Sequence, residues 1–182
     1  MRVAEIQHGK ADLCREVLDD LPDWFGIADA KAAYIAAASD TPMLGCYDER
    51  VFAGFLSLKR HTPFAAEIYV MGVKRRFHRQ GIGRALIDEA LQFCGRQGVQ
   101  FLTVKTLAPS HPDPHYEATR KFYEAAGFRP VEVFPTLWGL SNPCLLMVRS
   151  LQAAQTTCRA LGLAFWIRGR MKLIIGEDGA GR

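Results

Sequence analysis

The chain predicts an α/β fold on a mixed, mostly antiparallel twisted sheet of about seven strands, flanked by about four helices. Three observations carry that expectation. Apolar residues recur at strand and helix spacing in the order β-α-α-β-β-β-α-β-α-β-β. The 182 residues, 49% hydrophobic and 23% charged, suit one domain with a full core. A glycine-marked basic turn joins an apolar strand to a helix at residues 79–86.

Taken in order, Val3 to Gln7 reads as a first strand. Leu13, Val17, Leu18 and Leu21 share helical spacing within Ala11 to Leu21. Pro22-Asp23-Trp24-Phe25-Gly26 breaks that helix, and Asp29 to Ala38 is a second, alanine-rich one. Met43 to Tyr47 and Val51 to Lys59 flank Asp48-Glu49-Arg50, a hairpin signal. Ala66 to Val73 is apolar on both faces and so belongs at the centre of the sheet. Ile82, Leu86, Ala90 and Phe93 mark a helix that ends near Gly95 and Gly98. Phe101 to Leu107 is the next strand. In the proline-rich loop after it, Asp113 and Pro114 have the character of an N-cap and first helical residue. Tyr116 to Ala126 is a short helix closed by Gly127. Phe128 to Phe134 and Cys144 to Val148 are the last strands, joined by a loop carrying Trp138. Leu151 to Leu161 has partial helical character, and residues 151–182 form a C-terminal extension to the 1–150 domain and a candidate dimer surface.

Charge is local. Lys74, Arg75, Arg76, Arg79 and Arg84 place five positive charges in eleven residues, while residues 1–150 sum to only +1. That pattern fits an anion site rather than a broad nucleic-acid surface. Only Phe77 interleaves with the basic residues, so a single-strand binder is disfavoured too. No apolar run reaches a membrane span of about 18 residues, and Met1 to Lys10 lacks the core of a secretory signal. The expected setting is cytoplasmic, with neither nucleic acid nor membrane as partner. Cys14, Cys46, Cys94, Cys144 and Cys158 include no CxxC pair and read as small apolar fillers.

The turn Arg79-Gln80-Gly81-Ile82-Gly83-Arg84-Ala85-Leu86 carries the chemistry. The first N–H groups of a helix lack intrahelical partners, and with the helix dipole they make a phosphate site. A dinucleotide fingerprint would need a third glycine where Leu86 stands, and a P-loop needs Gly-Lys-Ser/Thr, which is absent. About forty residues on come Phe122-Tyr123 and Gly127-Phe128. The turn and this FY-three residues-GF element, in this order and spacing, resemble the GNAT superfamily of acyl-CoA-dependent N-acetyltransferases, over roughly residues 1–150. His78 stands where that family usually has Arg or Gln, and Tyr116 where it often has Asn.

The resemblance implies a GNAT-like sheet and acetyl-CoA as co-substrate, with no metal. It implies a pyrophosphate grip by the N–H groups of Arg79, Gln80, Gly81, Ile82, Gly83 and Arg84. It further implies a main-chain donor for the thioester carbonyl between Val70 and Val73, with Met71 and Val73 against the coenzyme and Gly72 able to relax a bulge. The Lys74 to Arg79 cluster would attract the coenzyme's negative charge.

Tyr123 falls at the family's general-acid position; a phenol with pKa near ~10 is protonated at neutral pH and suits a leaving thiolate. The other reading is that its ring packs helix on sheet. Glu67, in an Ala-Glu-Ile context, is the candidate general base, or else a strand-end carboxylate in an ion pair. Period-2 alternation puts Glu67, Tyr69 and Met71 on one face. His111, Asp113 and His115 have a metal reading, but loop histidines at a helix start are more often caps or surface groups. Trp24, Phe25 and Trp138 are expected to flank the acceptor, a primary amine of a small molecule or peptide. The rival to an enzyme is a non-catalytic acyl-CoA sensor.

Overall fold

The computed structural model describes residues 1–151. The elements are β1 Arg2–Glu5, α1 Lys10–Asp19, α2 Ala28–Ala38, β2 Met43–Asp48, β3 Val51–Arg60, β4 Ala65–Val73, α3 Ile82–Arg96, β5 Phe101–Leu107, α4 Pro114–Ala125, β6 Arg129–Phe134 and β7 Cys144–Ser150. A 3-10 turn at Arg75–Phe77 was not foreseen. The expected helix from Leu151 to Leu161 lies outside the described residues beyond its first member.

One seven-stranded sheet runs β1-β2-β3-β4-β5-β7-β6. Every pairing is antiparallel except β4 with β5, the pair joined through α3. The mixed, mostly antiparallel sheet with four helices is therefore as expected. The β2–β3 hairpin turns through Glu49, whose φ is 53°.

Two apolar layers cover the sheet. On one side Cys14, Val17, Leu18 and Leu21 of the α1 region meet Met43, Phe55 and Val70. On the other, Ile82, Leu86, Ile87, Ala90 and Cys94 from α3, with Tyr123 from α4, meet Leu56, Ile68, Leu102 and Phe128. β3 is buried from Phe52 to Leu58 because both layers cover it. Gly72 serves the first layer: a Cβ there would lie 2.7 Å from Val17 Cγ1 and 3.0 Å from Leu21 Cδ1. It admits α1 rather than relaxing a bulge.

The bulge lies earlier. β3 pairs Ser57 with Val70 and Leu58 with Ile68, which leaves Tyr69 extra in β4. An extra residue inverts the alternation beyond it. Ala66 and Ile68 face the α3 side, Tyr69 packs toward α2, and Met71 and Val73 return to the α3 side. The expected single face of Glu67, Tyr69 and Met71 is thus corrected: Tyr69 and Met71 serve opposite layers.

Four cysteines, Cys14, Cys46, Cys94 and Cys144, are buried and free. Among the described residues no helix is long and apolar enough to cross a membrane.

Candidate active site

The parallel pairing of β4 and β5 stops at Ile68↔Val104, although β4 continues to Val73 and β5 to Leu107. Beyond that rung each strand has main-chain groups facing the other without a ladder. A cavity of about 1360 Å³ opens there, lined by Ile68 to Val73 of β4 and Val104 to Leu107 of β5. It extends to the 79–84 turn at one end and to Glu67 at the other.

At the turn, the first α3 bond runs from Ala85 N–H to the Gly81 carbonyl. Among the described residues, the N–H groups of residues 79–84 have no hydrogen-bond partner. Two left-handed residues, Arg79 (φ 61°) and Gly81 (φ 82°), shape this loop. The arginine conformation costs about 1–3 kcal/mol, a strain typical of functional turns. Ile82 sinks its side chain into the core, so it offers the cavity its main chain. Gln80 is the one expected coenzyme residue outside the lining; its side-chain Nε2 turns back to donate to the Arg76 carbonyl at 2.9 Å.

The basic cluster divides. Lys74 is buried, ion-paired with Glu16 and set over the Phe52 ring. Arg75 is held by Asp20 and Asp23. Those two cations fasten the turn to α1 and are not directed at a coenzyme, which corrects the expectation for the cluster as a whole. Arg84 pairs with Asp88 one helical turn on, and Arg79 lines the cavity without an ion-pair partner among the described residues.

The fit to a coenzyme A rests on more than the turn. Two buried polar atoms on the cavity wall, Thr106 Oγ1 and His111 Nδ1, have no hydrogen-bond partner among the described residues. Polar groups in that state call for a ligand or water. An elongated space between parted strands, with orphan donors at one end and orphan polar atoms along it, suits a polar arm ending in a pyrophosphate.

Tyr123 reaches the cavity from α4 while 95% buried, its ring packed against Phe122 and Phe128 at 5.3 and 5.6 Å between centroids. Burial, then the neighbouring Tyr116 and Tyr34, push its phenol well above the ordinary value. The ring packs the helix, and its burial holds the phenol protonated.

Glu67 sits at the last rungs before the strands part, opposite Thr103. It is 5% exposed, and both carboxylate oxygens are engaged, Oε2 by His61 Nε2 at 2.5 Å and Oε1 by Lys105 Nζ at 2.8 Å. The loop before α2 crosses to α4 through Trp24, whose Nε1 donates to Thr119 Oγ1 at 3.1 Å while its carbonyl accepts from Tyr116 at 2.8 Å. Trp24, Phe25 and Trp138 all line the cavity. Asp113 caps α4 through the N–H groups of His115 and Tyr116, and the His115 ring packs tilted against Trp24, with 4.7 Å between ring centroids. The carboxylate of the supposed metal trio is thereby a cap.

Residues 11–128 match the model of the acetyltransferase (GNAT) family. The chain belongs to the GNAT family. It is 33% identical over 98 residues to N-alpha-acetyltransferase RimI of Mycobacterium tuberculosis, a match covering 54% of this chain and 52% of that protein. The chain thus spans about half the length of this curated relative. In fold it is similar to an aminoglycoside 6'-N-acetyltransferase complexed with coenzyme A, with a TM-score of 0.67, 17% identity, and coverage of 84% of this chain and 98% of that one. It is likewise similar to the ribosomal-protein-S18-alanine N-acetyltransferase of Escherichia coli, with a TM-score of 0.65, 15% identity, and coverage of 87% and 99%.

The GNAT sheet brings Glu67, Met71, Val73, Arg79, Gly81, Ile82, Gly83, Arg84 and Tyr123 to one cavity. Sequence reading missed His61 and Lys105. His61 lies in the turn of the β3–β4 hairpin and Lys105 is 38 residues from Glu67, so no local spacing joins them. Their only sequence signal is that a carboxylate in an apolar strand needs partners.

Proposed function

We propose that this GNAT protein transfers the acetyl group of acetyl-CoA to a primary amine of a small molecule or peptide. The observation that carries it is the run of partnerless N–H groups at 79–84, opening on a cavity that ends between Tyr123 and Glu67. The pyrophosphate sits on those N–H groups, with Gly81 and Gly83 admitting it and Arg79 adding charge. The pantetheine arm lies between β4 and β5 beside Met71 and Val73. A β4 N–H beyond Ile68 polarises the thioester carbonyl.

The neutral amine attacks the carbonyl carbon; the C–N bond forms and the C–S bond breaks. Tyr123 gives its proton to the leaving sulfur, and the phenolate takes one from the new amide nitrogen. Glu67 serves the base side. Calorimetric titration with acetyl-CoA tests the reading, followed by free-thiol release over a panel of a tripeptide, free amino acids, a polyamine and an aminoglycoside. Micromolar binding with amine-dependent thiol release is expected. No binding at micromolar levels overturns the reading, and binding without transfer to any amine leaves an acyl-CoA sensor.

A further inference from the structure

Glu67 is the buried carboxylate of the base side, and His61, which bonds it, is the more exposed of the two on the same cavity wall. The imidazole is 40% exposed, lines the cavity and bonds Glu67 through Nε2 at 2.5 Å. Its backbone is fixed as well. The His61 N–H donates to the Ala65 carbonyl, and Thr62 Oγ1 accepts from the N–H groups of Phe64 and Ala65. Glu67 is steadied from its other side by Lys105. A carboxylate oriented by a lysine, an imidazole oriented by the carboxylate, and the second ring nitrogen left over is the arrangement by which a histidine is made a directed base.

We propose that His61, held by Glu67, is the group that takes the proton from the incoming ammonium of the acceptor. This rests on the acetyltransferase reading and refines the part given there to Glu67. Nε2–H donates to the Glu67 carboxylate, so Nδ1 carries the free lone pair; among the described residues Nδ1 has no partner. One ammonium proton moves to Nδ1, and the amine nitrogen keeps the electron pair that forms the C–N bond. The imidazolium holds its Nε2–H on Glu67 and loses the added proton to solvent at its exposed edge. Tyr123 handles the two remaining transfers, to sulfur and from the amide nitrogen.

The other histidines on the cavity wall are placed differently. His78 Nε2 bonds the Val73 carbonyl at the coenzyme end. His115 Nε2 is 3.9 Å from Asp23, which Arg75 already holds. His111 has no carboxylate partner among the described residues. The charged and titratable groups around the pair come from every neighbouring element: Lys59 of β3, over the Tyr69 ring of β4, Lys105 of β5, Tyr34 of α2 and Cys144 of β7.

The test compares wild type, His61→Gln, His61→Gly and Glu67→Gln in the full chain. Thiol release from saturating acetyl-CoA is followed across pH, with glycylglycine and with water as nucleophiles. In His61→Gln, kcat is expected to fall by about 10²–10⁴, the acid limb of the profile to disappear, and acetyl-CoA affinity to stay within about twofold, since His61 lies away from the phosphate end. Imidazole in solution should restore turnover to His61→Gly, which no structural role would allow. Glu67→Gln should lose rate but keep the acid limb. A His61→Gln enzyme with wild-type rate or an intact acid limb overturns the assignment, as does a His61→Gly enzyme indifferent to imidazole. Failure to bind acetyl-CoA at all would instead overturn the acetyltransferase reading.

Discussion

Gly83 lies directly against the ring of Phe122: a Cβ on Gly83 would come within 3.0 Å of Cζ and 3.2 Å of Cε2. The two recognisable elements of the sequence, the glycine turn and the Phe-Tyr pair, are therefore one packing unit. The first turn of α3 can approach α4 only because position 83 lacks a side chain. Phe122 in turn neighbours Tyr123.

Gly83→Ala should displace Phe122 and tilt α4 away from the turn. Overpacking of this kind costs about 1–3 kcal/mol. Calorimetry is expected to find acetyl-CoA binding weakened by about tenfold or more, and the melting temperature lowered by about 2–4 °C per kcal/mol. Unchanged affinity would mean that the turn tolerates a wider gap than the packing implies.

The division of the basic cluster makes a contrast between two charges five residues apart. Lys74→Ala removes a buried cation from Glu16 and Phe52, and should cost about 1–2 kcal/mol of stability, between the values of exposed and buried pairs. Its effect on acetyl-CoA affinity should be small. Arg79→Ala should do the reverse, leaving the melting temperature in place and weakening acetyl-CoA binding with a reduced salt dependence. Calorimetry at two ionic strengths beside thermal melts decides the matter; equal effects on both variants would deny the division.

Nearly every element was legible because local signals mark them: Asp113 with Pro114 at the start of α4, Gly127 (φ 87°) at its end, helical spacing along α3. The faces of β4 were not. Alternation assumes an unbroken ladder, and the extra residue at Tyr69 is set by how Ser57 and Leu58 of β3 pair across the sheet. Lys74 and Arg75 misled for a related reason. A run of like charge reads as one patch, but Glu16, Asp20 and Asp23 arrive from more than 50 residues away and claim two of its members. The His61–Glu67–Lys105 cluster, drawn from the β3–β4 loop and two strands, was invisible for the same cause.

Tyr123→Phe removes one hydroxyl from a ring that packing otherwise fixes. Because the Phe122 and Phe128 contacts remain, the fold and acetyl-CoA affinity should hold, while kcat falls by about 10²–10⁴ if the phenol is the acid. Burial raises the Tyr123 phenol above its ordinary value of 10.0. Wild-type turnover should therefore show no alkaline limb from this group up to about pH 10. Steady-state rates across pH check both points, and an unchanged kcat in the variant would return Tyr123 to a packing role.

The buried thiols set how the fold responds to alkali. Burial pushes Cys14 up to about 12, and Cys94 and Cys144 up to about 11, from an ordinary 9.0. In the unfolded chain these thiols return to the ordinary value. As pH rises through about 9, the unfolded state loses protons that the native state keeps, so the native state binds more protons and stability falls with pH. The stabilisation is fully present below pH 9 and is lost as pH climbs toward 11 and 12. Tyr116, raised to about 12 chiefly by burial, acts with the same sign above pH 10. Thermal melts in a reducing buffer should thus fall steadily above about pH 9, and Cys94→Ala should flatten part of that slope despite a lower starting value. A melting temperature that rises, or stays level to pH 11, would show that these thiols are not held protonated by the fold.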